Sequence, residues 1–391
     1  MSTAPTSHID IFSDEVLSYP YDAYAELREL GGVVYLEKYD AYAIPRYEEA
    51  HAVMADDESF GSRGFLSLNP DYNRYYDGSA IGSDGEDHHR LRAILSTRLA
   101  PRALRALSGD VHAAADSFIA EVLQSSSFDA VTDLAKVFPL RIVADLIGVP
   151  EEGREKFLDR ADRNFNLFGP ANARARASVG VHEETFEYVQ LIGGPGDLTP
   201  GSFGSTIHEA IVAGVVTERE GWRLLLTYLF AGMDTTINAI GYALMLLSQH
   251  PEQWDAVRAD RSLIPKAFEE TLRLESPLQL IGRGAVLAST IDGVEIAEGS
   301  RLAVLFGSAN RDERRWQDPT RFDVTRDASG HLGFGYGVHG CAGQGLARME
   351  AHAIISALAD RVERFHAGEP VRHLNNVLRG LESLPVEVEY A

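Results

Sequence analysis

The sequence predicts a mainly helical fold with a minor β region, organised as a single domain over residues 1–391. Three observations lead there. Apolar residues recur at helical spacing, with breaks, from about His88 to about Gln190. A long apolar run is opened by Thr217-x-x-Glu220, a capping-box signature, and closes near Gln249, before Pro251. Stretches of β character are short, and the last of them ends the chain.

In order, 20–30 reads as a short amphipathic helix. Gly32-Val33-Val34-Tyr35-Leu36 and Tyr42-Ala43-Ile44 read as a hairpin around Lys38-Tyr39-Asp40. Helix returns over 47–57. From Gly61 to Gly85 periodicity fails, and Gly, Asn, Asp and Ser surround Phe65, Tyr72, Tyr75 and Tyr76. A long irregular aromatic segment in a compact protein marks a binding loop. Residues 192–204, opening Ile192-Gly193-Gly194-Pro195-Gly196, read as a long loop between helices. The run from 217 to 249 is apolar nearly all round, which buries it through the middle of the molecule. Its length would also allow a membrane span, but Asp234 and Asn238 at its centre argue against one. Helices over 252–259 and 265–274 follow, then β fragments at 284–288, 294–296 and 302–305. Val386-Glu387-Val388-Glu389-Tyr390 is a period-two strand, so both ends of the chain are expected to contribute to the minor sheet.

Composition narrows the class. Hydrophobic residues at 45% and charged ones at 24% suit a water-soluble globular chain. Met1 to Leu30 mixes acids, proline and arginine with no signal-type apolar run, so a cytoplasmic protein with no membrane partner is expected. A formal net charge of −22 argues against nucleic acid as a partner. One cysteine excludes disulfides and multi-cysteine zinc sites. Between His88 and Ser108 five arginines (Arg90, Arg92, Arg98, Arg102, Arg105) occur without an acid. That island fits a docking patch for an acidic protein, and equally a solvated helix face.

The single cysteine lies in Phe334-Gly335-Tyr336-Gly337-Val338-His339-Gly340-Cys341-Ala342-Gly343, just before a helical pattern. Backbone N–H groups and a helix dipole there would favour a thiolate, and one thiolate can be the axial ligand of a haem iron. An isolated cysteine is more often a small buried hydrophobe. So many glycines beside it imply close approach of backbone to something flat or bulky. Phe334-x-x-Gly337-x-His339-x-Cys341-x-Gly343 resembles the cysteine loop of the cytochrome P450 family. The resemblance implies the fold of that family, a triangular helical prism whose long central helix lies over haem b. It implies Cys341 as iron ligand and Phe334 packed on the thiolate side of the haem.

Other residues fit the same family. Ala231-Gly232-Met233-Asp234-Thr235-Thr236 interrupts the long helix with poor helix formers. A kink with back-bonded Thr hydroxyls would account for it. The resemblance instead implies that Ala231-Gly232 leaves room over the haem, while Asp234 and Thr235 deliver protons for dioxygen cleavage. Glu270-x-x-Arg273 places both side chains on one helix face. By resemblance it forms a structural clamp closed by Arg321, within Asp318-Pro319-Thr320-Arg321-Phe322. His88, Arg92, Arg283 and His339 match the contacts to the two haem propionates. That leaves Arg90, Arg98, Arg102 and Arg105 for a ferredoxin, which with its reductase would bring electrons from NAD(P)H.

The segment 374–385, from Leu374-Asn375-Asn376 to Leu384-Pro385, and Gly307-Ser308-Ala309-Asn310-Arg311-Asp312 look like the branch that oxidises para-substituted benzoates and methoxyarenes, often by O-demethylation, in aromatic compound catabolism. In that branch an arginine near Arg63 helps hold the substrate carboxylate. Two departures are visible: Phe230 stands where a small hydroxyl residue is usual, and the loop 61–85 is shorter and rich in tyrosine. Arg63, Phe65, Thr227, Phe230, Leu280, Ile281 and Leu378 are the expected pocket lining. The function expected is a haem-thiolate monooxygenase acting on a small aromatic substrate. A peroxide-using haem-thiolate enzyme and a haem sensor are the alternatives, and the Asp234-Thr235 pair speaks against the first.

Overall fold

The computed structural model describes residues 3–192 and 197–391, so part of the glycine-rich loop expected over 192–204 lies outside the described residues. The central helix is Glu218–Gln249. Thr217 Oγ1 accepts from the Glu220 N–H (3.3 Å), and Glu220 Oε2 accepts from the Thr217 N–H (2.7 Å). This reciprocal cap satisfies two of the donors that a helix start leaves open. Helices Val137–Ile147, Lys156–Asn166, Phe203–Val212 and Ile264–Leu274 pack around it. Leu224, Leu229, Met233 and Ile240 on it are wholly or almost wholly buried. Each such side chain contributes about 1.5–3 kcal/mol of transfer free energy. By length and composition the helix could cross a membrane, but 78% of its apolar window is buried inside the molecule. It is a core helix.

The β region departs from the expectation that both ends feed one sheet. Six strands lie in the order Thr6–Ser7, Val34–Leu36, Ala41–Ile44, Arg301–Val304, Ile281–Ala285, Phe60–Gly61. The C-terminal strand Pro385–Tyr390 belongs elsewhere, between Val362–Ala367 and Ser127–Asp129. Val386 and Val388 are buried and Glu387 and Glu389 exposed, as period two requires. The hairpin turns at Asp40 in the left-handed region (φ 47°).

The strand expected at 284–288 is shifted, to Ile281–Ala285. All five residues are buried, so no alternation marks it. Its Gly282 and Gly284 admit Phe65: a Cβ at Gly282 would lie 2.2 Å from the Phe65 carbonyl oxygen, and one at Gly284 2.0 Å from its ring.

The loop 61–85 is ordered. It contains a 3-10 turn, Pro70–Tyr75, and Tyr72, Tyr75 and Tyr76 are buried. Asp84, just before helix Gly85–Leu99, accepts from the N–H groups of Ser62 and Arg63 at 2.9 Å each and ties the two ends together. Helix Pro101–Val122 then runs against helix Gln344–Ala359, which follows the cysteine loop.

Candidate active site: a thiolate loop facing an apolar cavity

The cysteine loop owes its shape to glycine and to backbone hydrogen bonds. The Cys341 N–H donates to the Phe334 carbonyl at 2.8 Å. Gly337 has φ 69°, and a Cβ there would sit 2.1 Å from the Met54 carbonyl oxygen, so no side chain fits. Burial pushes the Cys341 thiol up, against the opposing pull of the Gly343 N–H and the Arg92 and Arg348 guanidiniums. The expected preference for thiolate is therefore not a property of the loop by itself. A coordinated cation would supply it, because a metal deprotonates the thiol it binds.

A network the sequence reading missed braces this loop. The Arg348 guanidinium lies 4.4 Å from the Phe334 ring centroid and holds Glu269 through Nε (2.6 Å) and Nη2 (2.9 Å). His331 Nε2 is 3.0 Å from the same carboxylate, and its Nδ1 accepts from the Gly333 N–H. The signal was a cation two helical turns past the cysteine.

Cys341 opens onto a cavity of about 1530 Å³, counted out to its mouth. Phe334, Gly343, His339, His88, Arg92 and Arg283 share its wall with Cys341, and Ala231, Gly232, Thr227, Thr235 and Thr236 of the central helix line it too. Its cationic end gathers all four expected propionate residues. His88 and Arg283 are each 2% exposed, and His88 Nδ1 and Arg283 Nη2 have no partner. The rings of His88 and His339 are 4.2 Å apart, and Arg92 reaches the Gly340 carbonyl. Burial, little offset by Asp84, lowers Arg283 to about 10, and burial beside His339 and Arg92 lowers His88 to about 4. Buried donors left unpaired beside an apolar slot call for an anionic ligand edge. The two carboxylates of haem b fit that demand, and Cys341 supplies the one thiolate an iron needs. Among the described residues no cluster of three or more His, Cys, Asp or Glu could hold a separate metal ion.

On the central helix, Thr235 and Asp234 part company. Thr235 lines the cavity and donates to the Ala231 carbonyl (2.9 Å), so the back-bond and the cavity-facing position coexist. Asp234, about 100° round the helix, is 8% exposed and turned into the protein, with Oδ2 unpaired. Burial holds its carboxyl far above the usual range, Asp162 adds to this and His373 opposes it. Burial therefore favours its protonated form over the carboxylate.

The clamp forms, with a different third member. Glu270 and Arg273 are fully buried and doubly bonded (2.7 and 2.8 Å). Arg326, not Arg321, closes it, with Nε 3.0 Å from Glu270 Oε1. The Arg321 side chain is 64% exposed, 3.6 Å from Asp323. The reason is backbone direction: the Arg321 carbonyl turns inward to accept from Arg273 and Arg326, which sends its side chain out.

Five expected pocket residues do not line the cavity. Arg63 is exposed and paired with Asp87 (2.7 Å), because Asp84 holds its backbone at the surface. Phe65 is spent against Gly284. Leu280 and Leu378 are buried in the packing behind the wall, where Leu278 pairs with Leu378. Thr227 and Ile281 do line it, joined by Ile81, Phe165, Phe168 and Leu278. Phe230 faces a smaller adjoining cavity.

Of the candidate docking arginines, Arg90 is engaged by Glu220 (2.6 Å) and Asp87, and Arg98 by Thr206 (2.9 Å). Arg102 and Arg105 are exposed. Leu104 between them packs under Gly345, four residues past Cys341.

Comparisons with known proteins bear on the family and the fold. The family model described as Cytochrome P450 matches residues 215–370. The chain is 39% identical to Cytochrome p450 CYP199A2 of Rhodopseudomonas palustris, over 99% of this chain and 97% of that protein. It is 31% identical to 6-deoxyerythronolide B hydroxylase of Saccharopolyspora erythraea, with both chains fully covered. Among solved structures, cytochrome P450 CREJ in complex with (4-ethylphenyl) dihydrogen phosphate superposes with a TM-score of 0.86 at 27% identity, covering 99% of this chain and all of that one. P450BioI in complex with an acyl carrier protein gives 0.87 at 28% identity, covering 96% and 100%.

Proposed function

From the premise that this chain belongs to the cytochrome P450 family, as its full-length relatives show, we propose that it oxidises a small para-substituted aromatic compound of the methoxybenzoate or methoxyphenol type. Its relatives are named monooxygenases and hydroxylases, and the chain is a haem-thiolate monooxygenase whose electrons come ultimately from NAD(P)H. The observation that carries the finer reading is the cavity wall. Phe165, Phe168, Ile81 and Leu278 give an apolar, partly aromatic wall that suits a planar ring, on the same cavity as Thr235 and Cys341. The neighbour with a para-substituted aryl ligand supports it.

Haem b would be held by Cys341, with His88, Arg92, Arg283 and His339 to receive its propionates, and would supply dioxygen activation. The chain's own residues do the rest. The apolar walls exclude water and hold the ring. Thr235 offers a hydroxyl on the reacting side, and one residue away burial raises the affinity of the Asp234 carboxyl for a proton. Oxidation of an aryl methyl ether takes one oxygen atom into the methyl C–H, with two electrons and two protons reducing the other to water. The resulting hemiacetal releases phenol and formaldehyde. A ferredoxin, reduced by its reductase in the cytoplasm, is the proposed donor, docking over exposed Arg102 and Arg105 beside the cysteine loop.

The test is a panel of methoxybenzoates and methoxyphenols, screened for the low- to high-spin shift and for formaldehyde released per NADH with a supplied ferredoxin and reductase. Stoichiometric formaldehyde from a para-methoxy compound is expected. NADH consumption with none of the panel oxidised overturns the substrate reading. Loss of the red-shifted carbon monoxide band in Cys341→Ser checks the ligand.

A further inference from the structure

A second cavity of about 470 Å³ shares Ile81, Phe165, Phe168, Thr227 and Ala231 with the first, so it is a side chamber of the same site. Most of its polar groups are satisfied internally. The Tyr76 hydroxyl donates to the Asn164 carbonyl (3.2 Å) and the Ser79 hydroxyl to the Tyr76 carbonyl (2.6 Å). The Tyr75 hydroxyl accepts from Arg74 (3.3 Å). Three groups are left: Arg223, His182 and the Asn164 amide.

Arg223 Nη1 lies 3.0 Å from His182 Nδ1. A guanidinium can only donate, so Nδ1 accepts and the imidazole proton sits on Nε2. His182 is 6% exposed, and that Nε2 has no partner. Tyr75 stacks on the imidazole at 5.1 Å and 9°, and Phe230 meets it edge-on at 6.1 Å, so the ring has one orientation. Burial, with the Arg223 charge, drops His182 to about 3, which keeps it neutral and the tautomer intact at neutral pH. Arg223 makes no ion pair with a carboxylate among the described residues; Asp77 and Glu183 act on it only at a distance. Asn164 Oδ1, 4% exposed at the residue level, is also unpaired, and its amide can turn to present NH₂. The chamber thus presents a half-buried cation with no carboxylate partner and an N–H donor with nothing to receive it.

We propose that Arg223 and the Nε2–H of His182 anchor the substrate's carboxylate in this side chamber, and that substrates are acids with the anionic group and the oxidised carbon at opposite ends. This rests on the monooxygenase reading and gives the carboxylate role, once expected of Arg63, to a different arginine. A carboxylate accepts the Nε2–H directly, while Arg223, on the other ring nitrogen, supplies the compensating positive charge. The span is set by the central helix. His182 meets Phe230, five residues before Thr235, so the anchor stands roughly 7.5 Å along the axis from the reacting side. A para-substituted ring bridges that separation, and an ortho-substituted ring does not.

The experiment measures binding in the haem-loaded protein by calorimetry and by the spin shift. Probes are 4-methoxybenzoate, 4-methoxycinnamate, 2-methoxybenzoate and the methyl ester of each. Arg223→Gln is expected to weaken the two para acids 10- to 100-fold and their esters less than twofold, with the red-shifted carbon monoxide band unchanged. Arg223→Lys should recover part of the loss, and His182→Phe should weaken the acids while leaving the esters. Equal weakening of acids and esters overturns the proposal, as does unchanged acid binding in Arg223→Gln. So does tighter binding of the 2-methoxy acid than of its para isomer. A wild-type protein without the thiolate band would instead overturn the haem-thiolate reading, so the two failures are told apart.

Discussion

Arg326→Ala is expected to destabilise the protein far more than Arg321→Ala, although the two arginines are five residues apart on one exposed loop. Glu270 has no exposed surface and accepts two bonds from Arg273, one from Arg326 Nε at 3.0 Å and one from the Asp323 N–H at 3.3 Å. Removing Arg326 deletes a charge-assisted bond to a buried carboxylate, a loss of about 1.5–3 kcal/mol. It also frees the carbonyls of Gln317 (2.7 Å) and Asp318 (3.1 Å). Those lie near the surface, where water replaces the lost donor, so their share is small. The total is about 2–3 kcal/mol. Arg321 holds only a 3.6 Å pair with Asp323 from a mostly exposed side chain. Its removal should cost less than about 0.5 kcal/mol. Urea unfolding of the haem-loaded variants side by side, followed by tryptophan fluorescence and by loss of the thiolate Soret band, reads the difference. Equal midpoints, or a larger shift for Arg321→Ala, would refute the assignment of the third clamp member.

Gly337→Ala should yield protein with little or no thiolate band, since the added carbon would meet the Met54 carbonyl at 2.1 Å in a backbone with φ 69°; a normal carbon monoxide spectrum would show that the loop has room. Burial opposes ionisation of Glu269, but its bonds to His331 and Arg348 win and hold it at about 2, below its ordinary 4.5. A carboxylate depressed in the folded state adds stability that is complete above its unfolded pKa and is lost as pH falls through the folded one. Stability should therefore decline from about pH 4.5 toward 2, and Glu269→Gln should flatten that limb of a urea-midpoint series. Charge reversal at Arg102 and Arg105 together should slow reduction by a ferredoxin about tenfold or more at low salt, and less at high salt. Reduction by dithionite should not change; equal slowing of both would point to a folding defect.

What the chain declares in sequence is what local chemistry decides. Thr217, Glu220 and Pro251 bound the central helix without help from anything distant, and the structure returns those ends. The cysteine loop is legible because glycines at fixed spacing answer to one backbone path. His88, Arg92, Arg283 and His339 are scattered in sequence and meet at one end of the cavity, so their grouping was open only to a family resemblance. The β region was less legible. Ile281–Ala285 is buried on both faces and shows no alternation, and the Pro385–Tyr390 strand carries nothing that names its partner.

The misplaced arginines share a cause. Whether a long cationic side chain turns inward depends on where the neighbouring backbone points its N–H and C=O groups, and composition does not record that. Asp84 takes the N–H of Arg63 and leaves its guanidinium at the surface. The inward Arg321 carbonyl sends that side chain out and leaves Arg326 to reach Glu270. Arg223 is the converse. It follows Arg219 by one helical turn near the start of the central helix, in a run whose composition is otherwise apolar. Its meaning comes from His182, on a helix 41 positions away, whose Nδ1 it occupies. Only that contact fixes a donor on the far side of the imidazole, and only the cavity beyond shows that the donor has nothing to bind. A half-buried cation without a carboxylate partner is unfavourable. Its presence beside the substrate cavity is therefore better explained by an anion that arrives than by packing, and this is why substrate choice is assigned to Arg223 and His182.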